Sequence, residues 1–412
     1  MWKSVFQDFN MAALWAGVTT YIWYVFGTLP LHLEVMGQLN LSATESSGWI
    51  FVIWFSGAIT SIVLSLKFRL PITIAWTFPG LVYLGTLSGQ FTFQEIVGAN
   101  LLAGIAIVLL GAFGIGARMM AWLPLPIIMG MFSGSILVYV TRMVAASVND
   151  FFVAGITLVS YLLGRWINDP RCPPVGLALV FGGLAVYLFG ETALNRVAWT
   201  LPDLAVPGMD FSVSAFIAIS LPMVVLAMGL GNVQGMGFLM SQGYTVPVTA
   251  MTVIVGLNSV FNAVLGGHPA TVGRAPTAIL AGPDAGPKEG RYWASTIAAF
   301  LTISIALAAG TMTSLFSALP RSFVVTLAGV AVLSALQNAL ETAFGRTLKF
   351  GALAALAVAA TPFSVFGITS AFWAILAGIF ASLMAERQEL FAYWRERNQS
   401  TKGHQGKAKQ SD

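Results

Sequence analysis

The sequence predicts an all-α polytopic membrane protein with 14 transmembrane segments, arranged as two inverted repeats of seven. The first observation is composition: 57% of the 412 residues are hydrophobic and 9% are charged, whereas a soluble domain carries about 25% charged residues. The second is that two apolar segments, nearly half the chain apart, are interrupted by proline and glycine in the same way. The third is that lysine and arginine fall almost entirely on one side of the predicted spans.

Apolar runs bounded by charged residues, proline or glycine define the predicted spans. They cover 11–30, 47–66, 72–90, 94–116, 122–141, 151–164, 174–190, 211–232, 246–265, 269–282, 292–312, 320–337, 347–361 and 368–385. We expect the third and tenth spans to hold short extended strands in place of continuous helices. The chain then divides into a first repeat over 1–200, a linker over 201–210, a second repeat over 211–386 and a cytoplasmic tail over 387–412.

The distribution of positive charge predicts the orientation. With the N-terminus in the cytoplasm, sixteen of the 20 lysines and arginines lie in cytoplasmic segments, and only Arg142, Arg196 and Arg321 lie in outer loops. Arg274 falls inside the membrane. This bias follows the positive-inside rule and predicts that both termini are cytoplasmic. Because seven spans per half is an odd number, the second half is inverted relative to the first.

Composition also argues against several classes of function. The single cysteine, Cys172, excludes an internal disulfide or a thiolate metal cluster. The chain has no HExxH motif, no paired intramembrane carboxylates and only three histidines, namely His32, His268 and His404, so a membrane-embedded enzyme is disfavoured. The positive charge lies in short loops and the tail and does not indicate nucleic acid. We therefore expect no enzymatic activity, metal, cofactor or nucleic-acid partner.

The tenth span lies within Gly266–Pro283, which reads GGHPATVGRAPTAILAGP. Pro269 and Pro276 are seven residues apart, and each proline removes a donor and clashes with the preceding turn, so an uninterrupted helix is excluded. The pattern predicts an extended piece over 269–273, then a half-helix that starts near Ala275. Irregular backbone at membrane depth persists only where protein buries it or where it lines a cavity. Transporters use such broken helices to bind ions and anionic substrates.

The third span repeats this pattern. Pro71–Thr77 (PITIAWT) aligns with Pro269–Ala275 (PATVGRA) at an offset of 198 residues, with two of the seven positions identical. Both segments follow two apolar segments within their half of the chain. Interrupted spans at corresponding places in two halves are a sequence indication of a transport site.

Arg274 is the first candidate substrate-binding residue. It precedes the half-helix, whose first turn holds Ala275, Pro276 and Thr277 and whose N-terminus favours anions. The alternative is that Arg274 pairs with a carboxylate or extends to the membrane interface. A charge inside a bilayer is costly and indicates function by default. We expect the acidic residues that could pair with it to lie at span ends or in loops: Glu34, Glu45, Glu95, Asp150 and Asp284.

The opposing break supplies the next candidates, Trp76, Thr77, Phe78 and Pro79. A half-helix that starts at Phe78 would point its N-terminus at the same place from the other side. Trp76 and Phe78 would then stack on a flat apolar substrate. The alternative is that they are core aromatics, since 12% of the chain is aromatic.

Three polar positions complete the candidate set. Asn232 and Gln234 fall at the predicted end of the eighth span, where amides bind substrate or hydrogen-bond to neighbouring helices. His268 is a candidate proton carrier because imidazole titrates near neutral pH. The alternative for His268 is an interfacial histidine at the outer mouth of the tenth span. For Asn258 and Asn262, which share a helix face, interhelical bonding is the favoured interpretation.

At these residues the chain resembles the benzoate:proton symporter (BenE) family of bacterial inner membranes, over about residues 11–385. FRLPITIAWTFPG resembles that family's Arg-x-Pro followed by Ala-Trp-Ser-Thr-Pro-Gly, and GNVQGMGFLMSQGYTVPV resembles its Gln-Asn-x-Pro-Gly followed by Gly-Tyr-x-x-Pro. AGPDAGPKEGRYW resembles its Pro-Glu-Ala-His-Pro with a following Arg-Trp, and SAFWAILAG resembles its last span.

The resemblance implies the fold of the uracil permease and sulfate permease transporters. In that fold spans 1–4 and 8–11 form a core domain, and spans 5–7 and 12–14 form a gate domain. The substrate lies between the half-helices of spans 3 and 10, and the core moves against the gate, often in a homodimer. The resemblance also implies a multi-pass protein of the bacterial inner membrane that carries benzoate together with a proton.

The chain departs from the family pattern at four positions. Gly231 replaces Gln, Gln234 replaces Pro, Gly286 replaces His, and Arg274 replaces a small apolar residue. Arg274 strengthens the case for an anion and weakens the inference that the anion is benzoate. Related nucleobase transporters place a glutamate near the end of span 8, where Asn232 cannot carry a proton.

The sequence therefore favours a secondary active transporter of a small organic anion, most of all an aromatic carboxylate, in symport with a proton. One alternative is an uncoupled anion channel or uniporter, which the missing carboxylate favours. Another is a nucleobase transporter of the same fold. The expected partners are the anion, a proton, the lipid bilayer and a second copy of the chain.

Overall fold

The computed structural model describes residues 7–115, 122–167, 174–193, 197 and 199–396, and most of them are helical. The first half contains α1 (Met11–Gly27), α2 (Leu29–Gln38), α3 (Ala43–Phe68), β1 (Ile74–Trp76), α4 (Phe78–Gly85), α5 (Phe93–Ala112), α6 (Leu125–Asn149), α7 (Phe151–Ile167) and α8 (Pro174–Phe189). Cys172, Arg196, His404 and the predicted tail beyond residue 396 lie outside the described residues.

The second half begins with one long helix and contains the second break. Its elements are α9 (Val213–Ser241), α10 (Val248–Val264), β2 (Ala270–Val272), α11 (Arg274–Leu280), α12 (Tyr292–Leu307), α13 (Ala309–Ser317), α14 (Arg321–Phe344), α15 (Lys349–Ala360), β3 (Ser364–Val365), β4 (Ile368–Thr369), α16 (Ser370–Ala385) and α17 (Arg387–Glu396).

Several helices are long and apolar enough to cross a membrane. Among the described residues, α3, α5, α6, α9 and α14 qualify by length and composition. The pairs α12–α13, bent by 63°, and α16–α17, bent by 112°, qualify when each is taken as one span. Four shorter apolar helices, α7, α8, α10 and α15, accompany them. The chain is thus a helical multi-pass protein, and the count of 14 spans stays a prediction.

Side-chain caps set the start of two spanning helices. Ser42 and Thr92 each accept a hydrogen bond from the backbone N–H three residues later, and the carboxylates of Glu45 and Glu95 each accept one from the backbone N–H of the capping residue. These reciprocal pairs are capping boxes, which satisfy two of the donors left open at a helix start. Glu45 and Glu95 therefore lie at span ends, as expected from the sequence.

The first predicted span, 11–30, continues beyond its expected end. The chain breaks at Thr28 and resumes as α2, with Pro30 in the first turn, where a proline costs no helical hydrogen bond. Glu34 consequently lies in a buried helix, 7% exposed, with Gln38 Nε2 donating to its Oε1 at 2.7 Å. Glu34 therefore lies in a helix that continues past Pro30 and not in a loop.

The eighth span is also longer than predicted. Helix α9 runs to Ser241 instead of ending near residue 232, so Asn232 and Gln234 lie inside it. Gly231 and Gly235 resemble the glycines that end helices, but they are tolerated inside α9 because they allow it to pack closely against β2. A Cβ on Gly231 would overlap Thr271 Oγ1, and one on Gly235 would lie 2.8 Å from Val272 Cγ1.

The two breaks meet in the middle of the molecule. Strands β1 and β2 pair antiparallel, with Ile74 opposite Val272 and Trp76 opposite Ala270. Thr77 N donates to Pro269 O at 2.9 Å and thereby extends the pairing. A two-stranded pair of this length is not stable by itself. It depends on the helices that bury all six strand residues.

Equivalent serines hold the two strands in place. Ser61 Oγ on α3 accepts from Ile74 N at 2.8 Å. Ser259 Oγ on α10, 198 residues later, accepts from Ala270 N at 2.9 Å. Each bond satisfies a backbone donor that would otherwise be unpaired in a membrane interior, where such groups are costly. The positions where the half-helices begin are fixed by these contacts.

Candidate functional site

A cavity of about 520 Å³ lies where α4 and α11 begin. One wall comes from α1, the two breaks and α9, and the facing wall comes from α6, α7, α8 and α14. The first wall holds Trp23, Tyr24, Gly27, Thr28, Ala75, Trp76, Phe78, Pro79, Leu230, Gly231, Gln234, Thr271, Gly273, Arg274, Ala275, Pro276 and Ala278. The facing wall holds Met129, Phe132, Tyr161, Val175, Val330, Ala331, Ser334, Ala335, Asn338 and Ala339.

Arg274 is the charged residue of this lining. It is the first residue of α11, and its side chain is exposed to the cavity. Arg274 Nη1 donates to Gln234 Oε1 at 3.1 Å. Among the described residues no carboxylate oxygen lies within 4.0 Å of the guanidinium. A guanidinium has five N–H donors, so a neutral amide orients Arg274 without neutralising its charge.

Both half-helices begin at this cavity. Thr77 caps α4, because its Oγ1 accepts from Gly80 N at 3.3 Å. Helix α11 follows Gly273 and has no side-chain cap, while Thr277 Oγ1 donates back to Gly273 O at 2.5 Å. The first N–H groups of a helix lack acceptors within it and carry partial positive charge. Thr77 and Thr277 stabilise the starts of the half-helices through these hydrogen bonds, and neither residue lines the cavity.

The aromatic candidates differ in exposure. Trp76 is only 5% exposed, and its ring stacks on Trp54 with centroids 4.6 Å apart and also packs against Tyr24 at 5.1 Å. Phe78 is half-buried and lines the cavity beside Pro79. Phe78 thus offers the larger free surface to a ligand, whereas Trp76 is a fixed part of the wall.

Asn232 is directed away from the cavity. It is fully buried, and its Oδ1 accepts from Val272 N at 2.8 Å and from Thr271 Oγ1 at 3.1 Å. This amide therefore fixes β2 against α9. Gln234, two residues later, lines the cavity and contacts Arg274.

Comparison with known proteins identifies the family of the chain. Residues 7–384 match the family described as BenE, benzoate membrane transport protein. The chain belongs to the BenE family. It is 26% identical over 385 residues to the benzoate membrane transport protein of Acinetobacter baylyi, which covers 92% of this chain and 96% of that protein. It is 27% identical over 354 residues to the inner membrane protein YdcO of Escherichia coli K12, covering 84% and 90%.

Solved structures show which fold this BenE-family chain adopts. The transmembrane domain of the cyanobacterial bicarbonate transporter BicA matches with a TM-score of 0.53 and 15% identity, over 91% of this chain and 96% of that domain. SLC26A9 matches with a TM-score of 0.62 and 14% identity, over 92% of this chain and 65% of that chain. These structures show that the chain has the BicA and SLC26 fold, and its membership of the BenE family makes it a membrane transporter and not an enzyme.

His268 in this BenE-family chain is not at an interface. The residue is fully buried, and Trp49 Nε1 donates to its Nδ1 at 2.8 Å. The expectation of a place at the outer mouth of the tenth span is wrong, because the loop before β2 folds inward against α3. Asn262 accepts from Ser56 Oγ at 2.5 Å, and Asn258 donates to Thr60 Oγ1 at 2.9 Å, so bonding of these asparagines to α3 is confirmed.

Other cavity residues had no distinguishing sequence motif. Tyr24 and Thr28 line the cavity from α1 and the turn that follows it, and Ser334 and Asn338 line it from α14. The last two are four residues apart and share a helix face. A polar pair at that spacing in an apolar span is a signal that sequence reasoning can use.

Proposed function

We propose that the protein is a secondary active transporter of a small organic anion, best matched by a benzoate-like aromatic carboxylate carried with a proton. The observation that carries this proposal is the unneutralised Arg274 guanidinium in a cavity otherwise lined mainly by apolar and aromatic groups. The cavity volume of about 520 Å³ lies within the usual range for small-ligand sites.

The arrangement of charge and apolar surface gives a binding mode. The carboxylate accepts hydrogen bonds from Arg274 and lies at the start of α4 and α11, in the positive field of both helix ends. The aromatic ring lies against Phe78 and Pro79 on one wall and Phe132 on the other. The name of the Acinetobacter baylyi relative supports benzoate as the first substrate to test.

An inverted-repeat architecture of 14 spans accounts for the position of this site. Paired Ile74 and Val272, and hydrogen-bonded Thr60 and Asn258, are each 198 residues apart. Contacts between equivalent residues are what a two-fold relation between halves produces. We propose cytoplasmic termini from the distribution of positive charge, and residence in the bacterial inner membrane and a homodimer from the resemblance to the BenE family.

Transport then follows from movement of one wall against the other. The proposed core domain supplies α1, α4, α9 and α11, and the proposed gate domain supplies α6, α7, α8 and α14. Sliding or rocking of the core would open the cavity to one side of the membrane at a time. His268 is the proton carrier proposed from the sequence.

An uncoupled anion channel or uniporter is the second candidate function. Asn232 occupies the region where related nucleobase transporters carry a glutamate, and an amide carries no proton. A channel would pass the anion without any effect of a pH gradient. A nucleobase transporter is disfavoured, because the eighth span has Asn232 and no acidic residue to hydrogen-bond a nucleobase.

Uptake into proteoliposomes tests the proposal. Radiolabelled benzoate is supplied with and without an inward proton gradient, using wild type, Arg274→Ala and the matched control Arg165→Ala, whose exposed side chain lies on α7. We expect gradient-stimulated uptake in wild type and control and none in Arg274→Ala. Equal uptake by Arg274→Ala would contradict the binding mode. Gradient-independent flux in wild type would favour the channel.

A further inference from the structure

A buried cluster of polar rings packs against Trp76, which is itself a residue of the cavity wall. His32 on α2 and His268 are both fully buried, and Trp54 on α3 is 1% exposed. The His32 ring centre lies 4.8 Å from that of Trp76, 6.0 Å from that of His268 and 6.3 Å from that of Trp54. Three nitrogens of this cluster have no hydrogen-bond partner among the described residues: His32 Nε2, His268 Nε2 and Trp54 Nε1.

Hydrogen bonds at the other ring nitrogens fix the neutral tautomer of each histidine. His32 Nδ1 lies 2.9 Å from Thr28 O, and a carbonyl only accepts, so Nδ1 carries the hydrogen and Nε2 holds the lone pair. Trp49 Nε1 lies 2.8 Å from His268 Nδ1, and an indole only donates, so Nδ1 holds the lone pair and Nε2 carries the hydrogen. The two histidines are therefore chemically different.

The unpartnered atoms comprise one acceptor and two donors. The acceptor is His32 Nε2, and the donors are the N–H groups of His268 and Trp54. The backbone of Thr77 lies close to the His268 ring, yet His268 Nε2 makes no hydrogen bond of acceptable geometry. Buried polar atoms are normally satisfied. The two histidine rings, one with an open acceptor and one with an open donor, have their centres 6.0 Å apart and make no direct hydrogen bond to each other.

We propose that this pair is the proton-binding site of the transporter, and that His32 Nε2 is the atom that accepts the proton. The inference rests on the proposed proton symport and assigns its carrier. A proton that reaches the cluster bonds to the His32 Nε2 lone pair and gives an imidazolium, and its release regenerates the neutral ring. His268 cannot accept without breaking its bond from Trp49, so it acts as a positioning residue.

The pair is close enough to the anion site to couple with it. Trp76 lines the cavity and meets His32 edge to face, with an interplanar angle of 84°. Thr28, whose carbonyl accepts from His32, also lines the cavity. A protonated His32 would stabilise a carboxylate bound in the cavity on the other side of the Trp76 ring. The bound carboxylate would in turn favour protonation of His32, because linkage between two sites is reciprocal.

Few other ionisable groups face this pair. Tyr24 on α1 packs against Trp54 and Trp76, and it is hydrogen-bonded to Thr73 Oγ1 at 2.9 Å. Tyr83 on α4 donates to Ala218 O and pairs with Thr369. Glu34, on the same helix as His32, bonds to Gln38 and interacts with the arginines of α6 and α14. On α3 and β1 the facing residues are tryptophans, so the two histidines are the natural site for a mobile proton.

Proton uptake on substrate binding tests the assignment. Benzoate is added to full-length protein in weakly buffered detergent with a pH indicator, while thermal stabilisation reports binding independently. We expect wild type to take up protons as it binds. His32→Gln should still bind benzoate, more weakly because the coupling to the proton is lost, and should show no proton uptake. His268→Gln should keep the uptake with a shifted pH midpoint, since it retains His32.

The outcomes separate this inference from the proposed function. Loss of proton uptake in His268→Gln with full uptake in His32→Gln overturns the assignment. Wild type that binds benzoate without proton uptake overturns the proton site and leaves the anion site standing. Wild type that does not bind benzoate overturns both. If His32→Gln fails to fold, ¹⁵N-histidine NMR of wild type decides: the expected tautomers differ between His32 and His268, and identical tautomers would contradict the proposal.

Discussion

The two breaks at the centre of the molecule have the same backbone and different chemistry. Each consists of a three-residue strand followed by a short helix, and the strands pair with Ile74 opposite Val272. The first break ends in Trp76, Thr77 and Phe78, whereas the second leads into Arg274. The shared backbone brings both ends to one cavity. The differing side chains divide its wall into an aromatic part and a cationic part, which suits a ligand with a ring and a carboxylate.

The breaks also differ in what holds them. The first is capped from within, because Thr77 Oγ1 accepts from Gly80 N. The second has a glycine cap and depends on α9, whose Asn232 bonds to both Thr271 and Val272. The position of the cationic part, Arg274, therefore depends on α9. A movement of α9 would displace Arg274 before it displaced the aromatic part.

The largest effect is expected at Arg274. Arg274→Ala should weaken benzoate binding on the order of 100-fold, because loss of a charged partner in a desolvated site costs about 2–5 kcal/mol. Arg274→Lys should give an intermediate loss, since lysine keeps the charge and lacks the planar fork. Binding is measured by thermal stabilisation against ligand concentration, with Arg165→Ala as the control. Equal affinity in all variants would show that the cationic part does not bind the anion.

The second effect tests the dependence of the second break on α9. Asn232→Ala should lower the free energy of unfolding by about 1–3 kcal/mol, because it leaves Val272 N–H buried without an acceptor. Asn232→Asp keeps an acceptor in place and serves as the matched comparison. Thermal unfolding without ligand is the measurement. If Asn232→Ala lost benzoate affinity at unchanged stability, Asn232 would be a ligand contact and not a support for β2.

The third effect concerns the aromatic part. Phe78→Ala should weaken benzoate binding about tenfold, because ring contacts contribute about 0.5–1.5 kcal/mol beyond buried area. Affinity for a short aliphatic carboxylate should change less, since Arg274 binds the charged group in both ligands. Phe78→Leu, which keeps apolar volume, separates stacking from burial. An equal loss for both ligands would place the ring elsewhere in the cavity.

The two chain breaks could be predicted from the sequence, but the directions in which side chains point could not. Proline and glycine at 71 and 269–276 restrict the backbone locally, so strand, half-helix and their relation across an offset of 198 residues were readable. The direction of the Asn232 side chain could not be predicted in this way. Helix α9 widens into π-helical turns over Leu226–Asn232, which rotates the following residues relative to an ideal helix. One amide therefore faces β2, and Gln234 faces the cavity.

His268 shows a second limit of the sequence. Hydropathy placed it at the edge of a span, yet the loop that carries it packs under Trp49 and is fully buried. Its partner His32 lies 236 positions earlier, beyond the break at Thr28 that the span boundary at residue 30 obscured. Local pattern gives the position of a residue along one helix. It does not show which distant helix faces it.

The smallest effect tests the self-capped break. Thr77→Ala removes the cap of α4 and should lower the free energy of unfolding by about 1 kcal/mol, less than Asn232→Ala at the other break. Thr77→Ser retains the hydroxyl and should be close to wild type. Thermal unfolding of both variants beside the Asn232 pair measures the comparison. If Thr77→Ala were as damaging as Asn232→Ala, the first break would depend on the cap as strongly as the second depends on α9. The difference in support between the two halves would then be absent.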